Sequence, residues 1–219
     1  MKDQPDAFDH PIFSESIRRI QTLLGETGLA GVERELLERL VHSSGDPTIA
    51  PWLEFSPGAC LRGMEALAAG AVILTDTAMA ASAVAPMARR TFANPVHSVL
   101  EWAPARAPAG GTRTAAGMER ALAAYPDAVV LIGSAPTALM VLLECVAAGA
   151  LHGRPWPALV IGMPVGFVGV EESKRQLAAS ALPQIRLEGS RGGAALVAAA
   201  VNALLRRAWL DRRSPGPAG

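Results

Sequence analysis

Residues 157–174 read PALVIGMPVGFVGVEESK, and the fold class turns on this stretch. Ala158–Leu159–Val160–Ile161–Gly162 is a short apolar, β-branched run, the pattern of a strand buried on both faces of a parallel sheet. A loop rich in Gly and Pro follows from Met163 to Val170, and Glu171 and Glu172 mark the first turn of a helix. Glycines 162, 166 and 169 permit conformations and close approaches that a side chain forbids. A loop between a parallel strand and a helix is where α/β proteins bind ligands. The same glycines would also suit a plain connection, and the residues alone leave both readings open.

The strand–helix rhythm extends on either side. Upstream, Ala71–Thr75 reads as a strand ending at Asp76, with a helix from about Met79 to Arg90. Val96–Trp102 reads as a second strand, APARAPAGG (103–111) as a mobile loop by composition, and a helix runs from Thr112 to about Tyr125. Ala128–Gly133 is a third strand with its helix over Pro136–Ala148. Downstream, Gln184–Glu188 is a fifth strand and Gly192–Leu210 an Ala-rich closing helix. Three helices come first. Ile17, Ile20, Leu23 and Leu24 define one over 14–24; Val32, Leu36, Leu37, Leu40 and Val41 define a second, stopped at Gly45. Ser56-Pro57-Gly58 opens the third, with Ser56 as N-cap and Pro57 at the first helical position. The pattern predicts a single three-layer α/β domain over 1–212, a mainly parallel sheet flanked by helices, and a flexible tail at 213–219.

Half of the 219 residues are hydrophobic, enough to cover a sheet on both sides, and the basic and acidic residues balance at 20 each. That balance gives no global field to attract nucleic acid or an anionic membrane. Cys60 and Cys145 form neither a metal spacing nor a disulfide framework. The N-terminus lacks a signal-peptide pattern, and the apolar stretch Ala128–Ala150 is interrupted by Gly133, Ser134, Pro136 and Glu144. A soluble, cytoplasmic protein is expected.

Four residues invite a chemical reading. His42 falls opposite the apolar stripe of its helix, on the side of Glu35 and Glu38, and sits in the last turn, where the helix dipole favours imidazolium. That suits proton delivery near neutral pH; an exposed histidine completing a helix is the alternative. Arg113, at a helix start after the 103–111 loop, suits a carboxylate clamp or a solvated surface position. Asp76 at a strand end and Ser16 on a helix face have ordinary structural readings as well, a helix cap and a surface polar residue.

The stretch from Gly162 to Lys174 resembles the signature loop of the precorrin-8X methylmutase family of corrin biosynthesis. Leu40-Val41-His42-Ser43-Ser44-Gly45 is similar to that family's segment bearing its catalytic histidine. Further likeness runs through Ser14–Ile20, Phe55–Ala59, Asp76 to Met79, Gly111–Ala116, Gly133–Leu139 and Arg191–Leu204. The resemblance implies an isomerase that moves a methyl group from carbon 11 to carbon 12 of precorrin-8X or cobalt-precorrin-8. His42 would protonate or hydrogen-bond a ring nitrogen, with substrate contacts at Ser16, Asp76, Thr112, Arg113, Gly166 and Gly193. It implies no metal or cofactor held by the protein, a tetrapyrrole polycarboxylate as substrate, and a homodimer. Thr75, Val84, Gly111 and Ser134 depart from the family pattern and put a changed substrate or reduced activity in reach. A non-catalytic corrinoid carrier with the same fold is the alternative. A nucleotide enzyme is disfavoured, because the glycines are spaced G-x-x-x-G-x-x-G and neither a Walker loop nor a G-x-S-x-G elbow occurs.

Overall fold

The computed structural model describes residues 8–150 and 156–213. Six strands form one sheet: β1 (Leu53–Phe55), β2 (Ile73–Thr75), β3 (Val96–Ser98), β4 (Val129–Ile132), β5 (Leu159–Gly162) and β6 (Gln184–Leu187), in the order β1-β6-β5-β4-β2-β3. All pairings are parallel except β1 with β6. The α/β reading therefore holds, with one strand more than the sequence showed. β1 is three residues long and follows Pro51, too short to reveal a period of two.

Successive strand residues point to opposite faces. Ile73, Val129, Leu131, Leu159 and Ile161 enter one core and Leu74, Val130, Ile132 and Val160 the other, all fully buried. Each such side chain contributes about 1.5–3 kcal/mol on leaving water. The first core is covered by α2 (Gly31–Ser44), α3 (Ala59–Ala68), α4 (Ala78–Arg90) and α8 (Ala194–Arg213), with α1 (Pro11–Leu24) laid over α2. The second is covered by α5 (Arg113–Ala124), α6 (Pro136–Ala150) and α7 (Val170–Ala179).

Three local expectations are corrected. Ser56 does not cap α3: its Oγ accepts from Gln184 N at 2.9 Å and its own N donates to Gln184 O, closing the β1–β6 edge. Gly58 at φ +72 opens that helix instead. The strand expected over 96–102 stops at Ser98, because Ser98 and Glu101 form a capping box that winds 99–101 into a 3-10 turn. The closing helix starts at Ala194, not Gly192, and extends through Arg213, which the sequence placed in the tail; residues 214–219 lie outside the described residues. On α2 the side that carries Glu35 and Glu38 meets α1 and α8, while His42 near its end stays exposed. Glu38 is 3 % exposed, held by Arg34 Nε at 2.8 Å and Gln21 Nε2 at 3.0 Å.

No helix among the described residues is long and apolar enough to cross a membrane.

Candidate active site

The chain reverses its direction of travel across the sheet between β2 and β4, and crevices at such switch points are where open α/β sheets bind ligands. Here Asp76 fills the crevice. Its Oδ2 accepts from the amides of Gly133 (3.0 Å), Ser134 (2.6 Å) and Ala135 (2.9 Å). The side chain is fully buried, and burial raises its carboxyl above the ordinary range against the pull of those amides. Asp76 thus shapes the turn into α6, and Thr77, not Asp76, caps α4. Because only the amide of Ser134 is used, its side chain is not needed for this bond.

Beside Asp76 the loops knit together through the backbone. Val165 N donates to Gly133 O, Gly166 N to Ser190 O and Gly193 N to Met163 O, at 2.9–3.1 Å. Side chains are excluded at the crossing points. A Cβ on Gly133 would stand 2.7 Å from Ala194 N, and one on Gly192 would overlap Met163 O. Gly166 and Gly193 hold φ of +136 and +132. Lys174 is fully buried beneath this platform, its Nζ donating to Gly189 O (2.7 Å) and Arg191 O (2.6 Å). On the far side Thr112 caps α5 and its hydroxyl meets that of Thr137 at 2.9 Å. Arg113 Nε donates to Pro104 O at 2.9 Å, so one of its donors is spent on the 103–111 loop.

His42 lies on the opposite flank of α8's first turns. It lines a recess of about 240 Å³ with Arg39, Ser43, Ala83, Ala195, Ala198, Ala199 and Asn202. Val84 belongs to the core, so Ala83 is the position that faces this recess. His42 Nδ1 and Ser16 Oγ are 2.8 Å apart, and the Phe13 ring meets the imidazole edge-on at 5.1 Å. Burial first, and the charge of Arg39 second, push the His42 pKa down. This reverses the expectation from the helix dipole, whose effect of about 0.3–1 kcal/mol is outweighed here.

The structure thus joins Ser16, which lines a separate cavity on α1, to His42 in its recess through the 2.8 Å contact. It gathers Asp76, Thr112, Gly166 and Gly193 on the loops at the carboxyl ends of the strands, with Arg113 at their margin; α8, which begins after Gly193, connects the two groups. The sequence reading missed Arg39, Phe13 and Asn202. Arg39 stood three residues before His42, at helical spacing on the same face, which is the signal that would have found it. Among the described residues no group of three or more His, Cys, Asp or Glu side chains could hold a metal ion.

The family model described as Precorrin-8X methylmutase matches residues 11–207. The chain belongs to that family. It is 39% identical to a cobalt-precorrin-8 methylmutase of Synechocystis, over 93% of this chain and 98% of the relative. Identity is 45% to a precorrin-8X methylmutase of Pseudomonas aeruginosa, over 84% and 89%. The crystal structure of a precorrin-8X methylmutase from Thermus thermophilus superposes with a TM-score of 0.79 at 37% identity, covering 90% of this chain and 95% of that one. Relatives named precorrin-8X methylmutase and relatives named cobalt-precorrin-8 methylmutase both occur.

Proposed function

We propose that this chain is the methylmutase of cobalamin biosynthesis that moves a methyl group from carbon 11 to carbon 12 of a precorrin-8X or cobalt-precorrin-8 macrocycle. Family membership supports the reaction class, and the observation that carries the residue assignment is the Ser16–His42 pair opening on an alanine-lined recess. The depressed pKa favours neutral imidazole at rest. With the Ser16 hydroxyl donating to Nδ1, the ring proton sits on Nε2 and points a donor at an imine nitrogen. Drawing electron density onto that nitrogen leaves the conjugated carbons beside it electron-poor, and the methyl–carbon 11 bond breaks as the methyl–carbon 12 bond forms. No atom is gained or lost, so the step needs no oxidant and no co-reactant.

The recess takes the edge of one ring. The rest of the macrocycle lies across the 133–135, 163–166 and 190–193 loops, whose small residues leave room for a flat ring system. Phe167 and Val168, 95% and 87% exposed, stand at the tip of this platform and suit burial beneath a substrate or a second copy in a homodimer. Asp76 acts in this scheme as a positioning residue for the 133–135 turn, and Arg113 keeps its remaining guanidinium donors for a carboxylate.

The test is conversion of the cobalt-free and cobalt-containing substrates to the corrin spectrum by purified protein. His42→Ala is expected to lower kcat by about 10²–10⁴ while the fold is kept, and Ser16→Ala by about tenfold. Wild-type turnover in His42→Ala overturns the assignment of the histidine. Tight corrinoid binding with no conversion of either substrate would put the carrier reading in its place.

A further inference from the structure

Between α1, α2 and α8 nearly every charge has a partner. Arg206 holds Asp9 through a forked ion pair, and Glu35 takes Arg207 at 2.8 Å and Arg206 at 3.4 Å. Glu38 takes Arg34 at 2.8 Å, and on α1 Glu15 takes Arg18 and Arg19, both at 2.8 Å. Arg39 stands among them without an acceptor: it makes no hydrogen bond and no ion pair among the described residues. It packs against the Phe13 ring, 4.4 Å from the guanidinium, and feels the Asp9–Arg206 pair only through space, the two charges of that pair acting in opposite directions. It lines both the His42 recess and an adjoining cavity of about 420 Å³ between α1, α2 and α8. A partly buried guanidinium with idle donors is costly to the fold. Here it is kept one helical turn from the candidate acid, where all nearby carboxylates are already engaged.

We propose that Arg39 is a carboxylate receptor that grips one acidic side chain of the substrate beside His42, and that this pairing loads His42 with its proton. The proposal rests on the methylmutase reading, which supplies a polycarboxylate. The guanidinium fork matches a carboxylate through two parallel bonds. Its influence on His42 follows from what faces the imidazole. From α1 come Ser16 and Phe13, uncharged, with Glu15 and Arg19 near by and paired to each other. From α8 comes Asn202, uncharged, with Arg206 farther off and bound to Asp9; α4 offers Ala83. Arg39 is therefore the charge that acts on His42 unopposed, and it lowers the proton affinity of the ring. A carboxylate on Arg39 cancels that repulsion, so the arriving substrate raises the proton affinity of the group it is to receive a proton from. Without the carboxylate the repulsion from Arg39 remains and disfavours the imidazolium.

Two corrinoids separate the possibilities: cobyrinic acid, whose side chains end in carboxylates, and cobinamide, in which they are amides. Each is titrated by absorbance into wild type and Arg39→Gln, and the His42 ring is followed against pH by NMR. We expect Arg39→Gln to weaken cobyrinic acid by about tenfold or more and to leave cobinamide unchanged. We expect the His42 midpoint to rise in free Arg39→Gln, and to rise on adding cobyrinic acid to wild type but not to the variant. Thermal unfolding of Arg39→Gln should fall at or above the wild-type midpoint, since a charge without a partner has been removed. Equal binding of cobyrinic acid by both proteins overturns the proposal and leaves the methylmutase reading standing. Loss of both corrinoids in the variant also overturns it, because Arg39 would then shape the recess without sensing charge. Failure of the wild type to bind either corrinoid sinks the methylmutase reading and the proposal with it.

Discussion

Replacing Lys174 by Met tests the platform beneath the signature loop. Lys174 is one of two lysines in a chain that otherwise uses arginine for positive charge. Its ammonium is fully buried, and burial lowers its pKa from 10.5 to about 8 against the opposing pull of Glu188 and Glu171. That displacement corresponds to about 3 kcal/mol for keeping the proton on the folded protein. The sign follows from proton counting. Between pH 8 and 10.5 the unfolded chain keeps the lysine proton and the folded chain releases it, so stability rises with pH across this window; below pH 8 the full cost is present. Cys60 opposes this above about pH 9, since burial pushes its thiol up to about 12 and the unfolded chain ionises first. Cys60 is common to both proteins, so the difference between wild type and Lys174→Met isolates the lysine. Met keeps the aliphatic length but leaves Gly189 O and Arg191 O without their donor, about 1.5–3 kcal/mol for each bond to a charged group. Urea unfolding at pH 7, 8, 9 and 10 should show Lys174→Met less stable throughout, with the gap widening by about 2.5 kcal/mol by pH 10. Two parallel stability curves would refute the buried-ammonium argument.

Gly192→Ala drives a methyl group into Met163 O at the crossing of two loops; we expect a loss of about 2–3 kcal/mol in urea unfolding and a higher KM, from displacement of the 190–193 loop of the platform. Asp76→Ala leaves the amides of Gly133, Ser134 and Ala135 without an acceptor, and should cost about 2–4 kcal/mol with faster amide exchange confined to the start of α6. Thr112→Val removes the α5 cap and the contact with Thr137, for about 1 kcal/mol in thermal unfolding.

What the sequence determined by itself was the pattern that local physics controls. Runs such as Val129–Ile132 and Leu159–Gly162 have no polar alternation, and only a strand covered on both faces accommodates that, so the layers and the parallel sheet were legible. His42, Ser16, Arg113 and the glycines of the signature loop stood out through their likeness to the family's segments, while by residue type alone each kept an ordinary structural reading. Partnership was not legible, because it depends on which elements are brought face to face. The tertiary structure placed α1 over the polar side of α2. It thereby buried Glu38 against Arg34, set Ser16 on His42 and left Arg39 without an acceptor. It also turned a strand-end aspartate into the acceptor for a turn 57 residues away, and a helix-start lysine into the support of a distant loop. These are long-range electrostatic matches, decided by desolvation and by the supply of partners. A linear sequence carries the charges but not their neighbours.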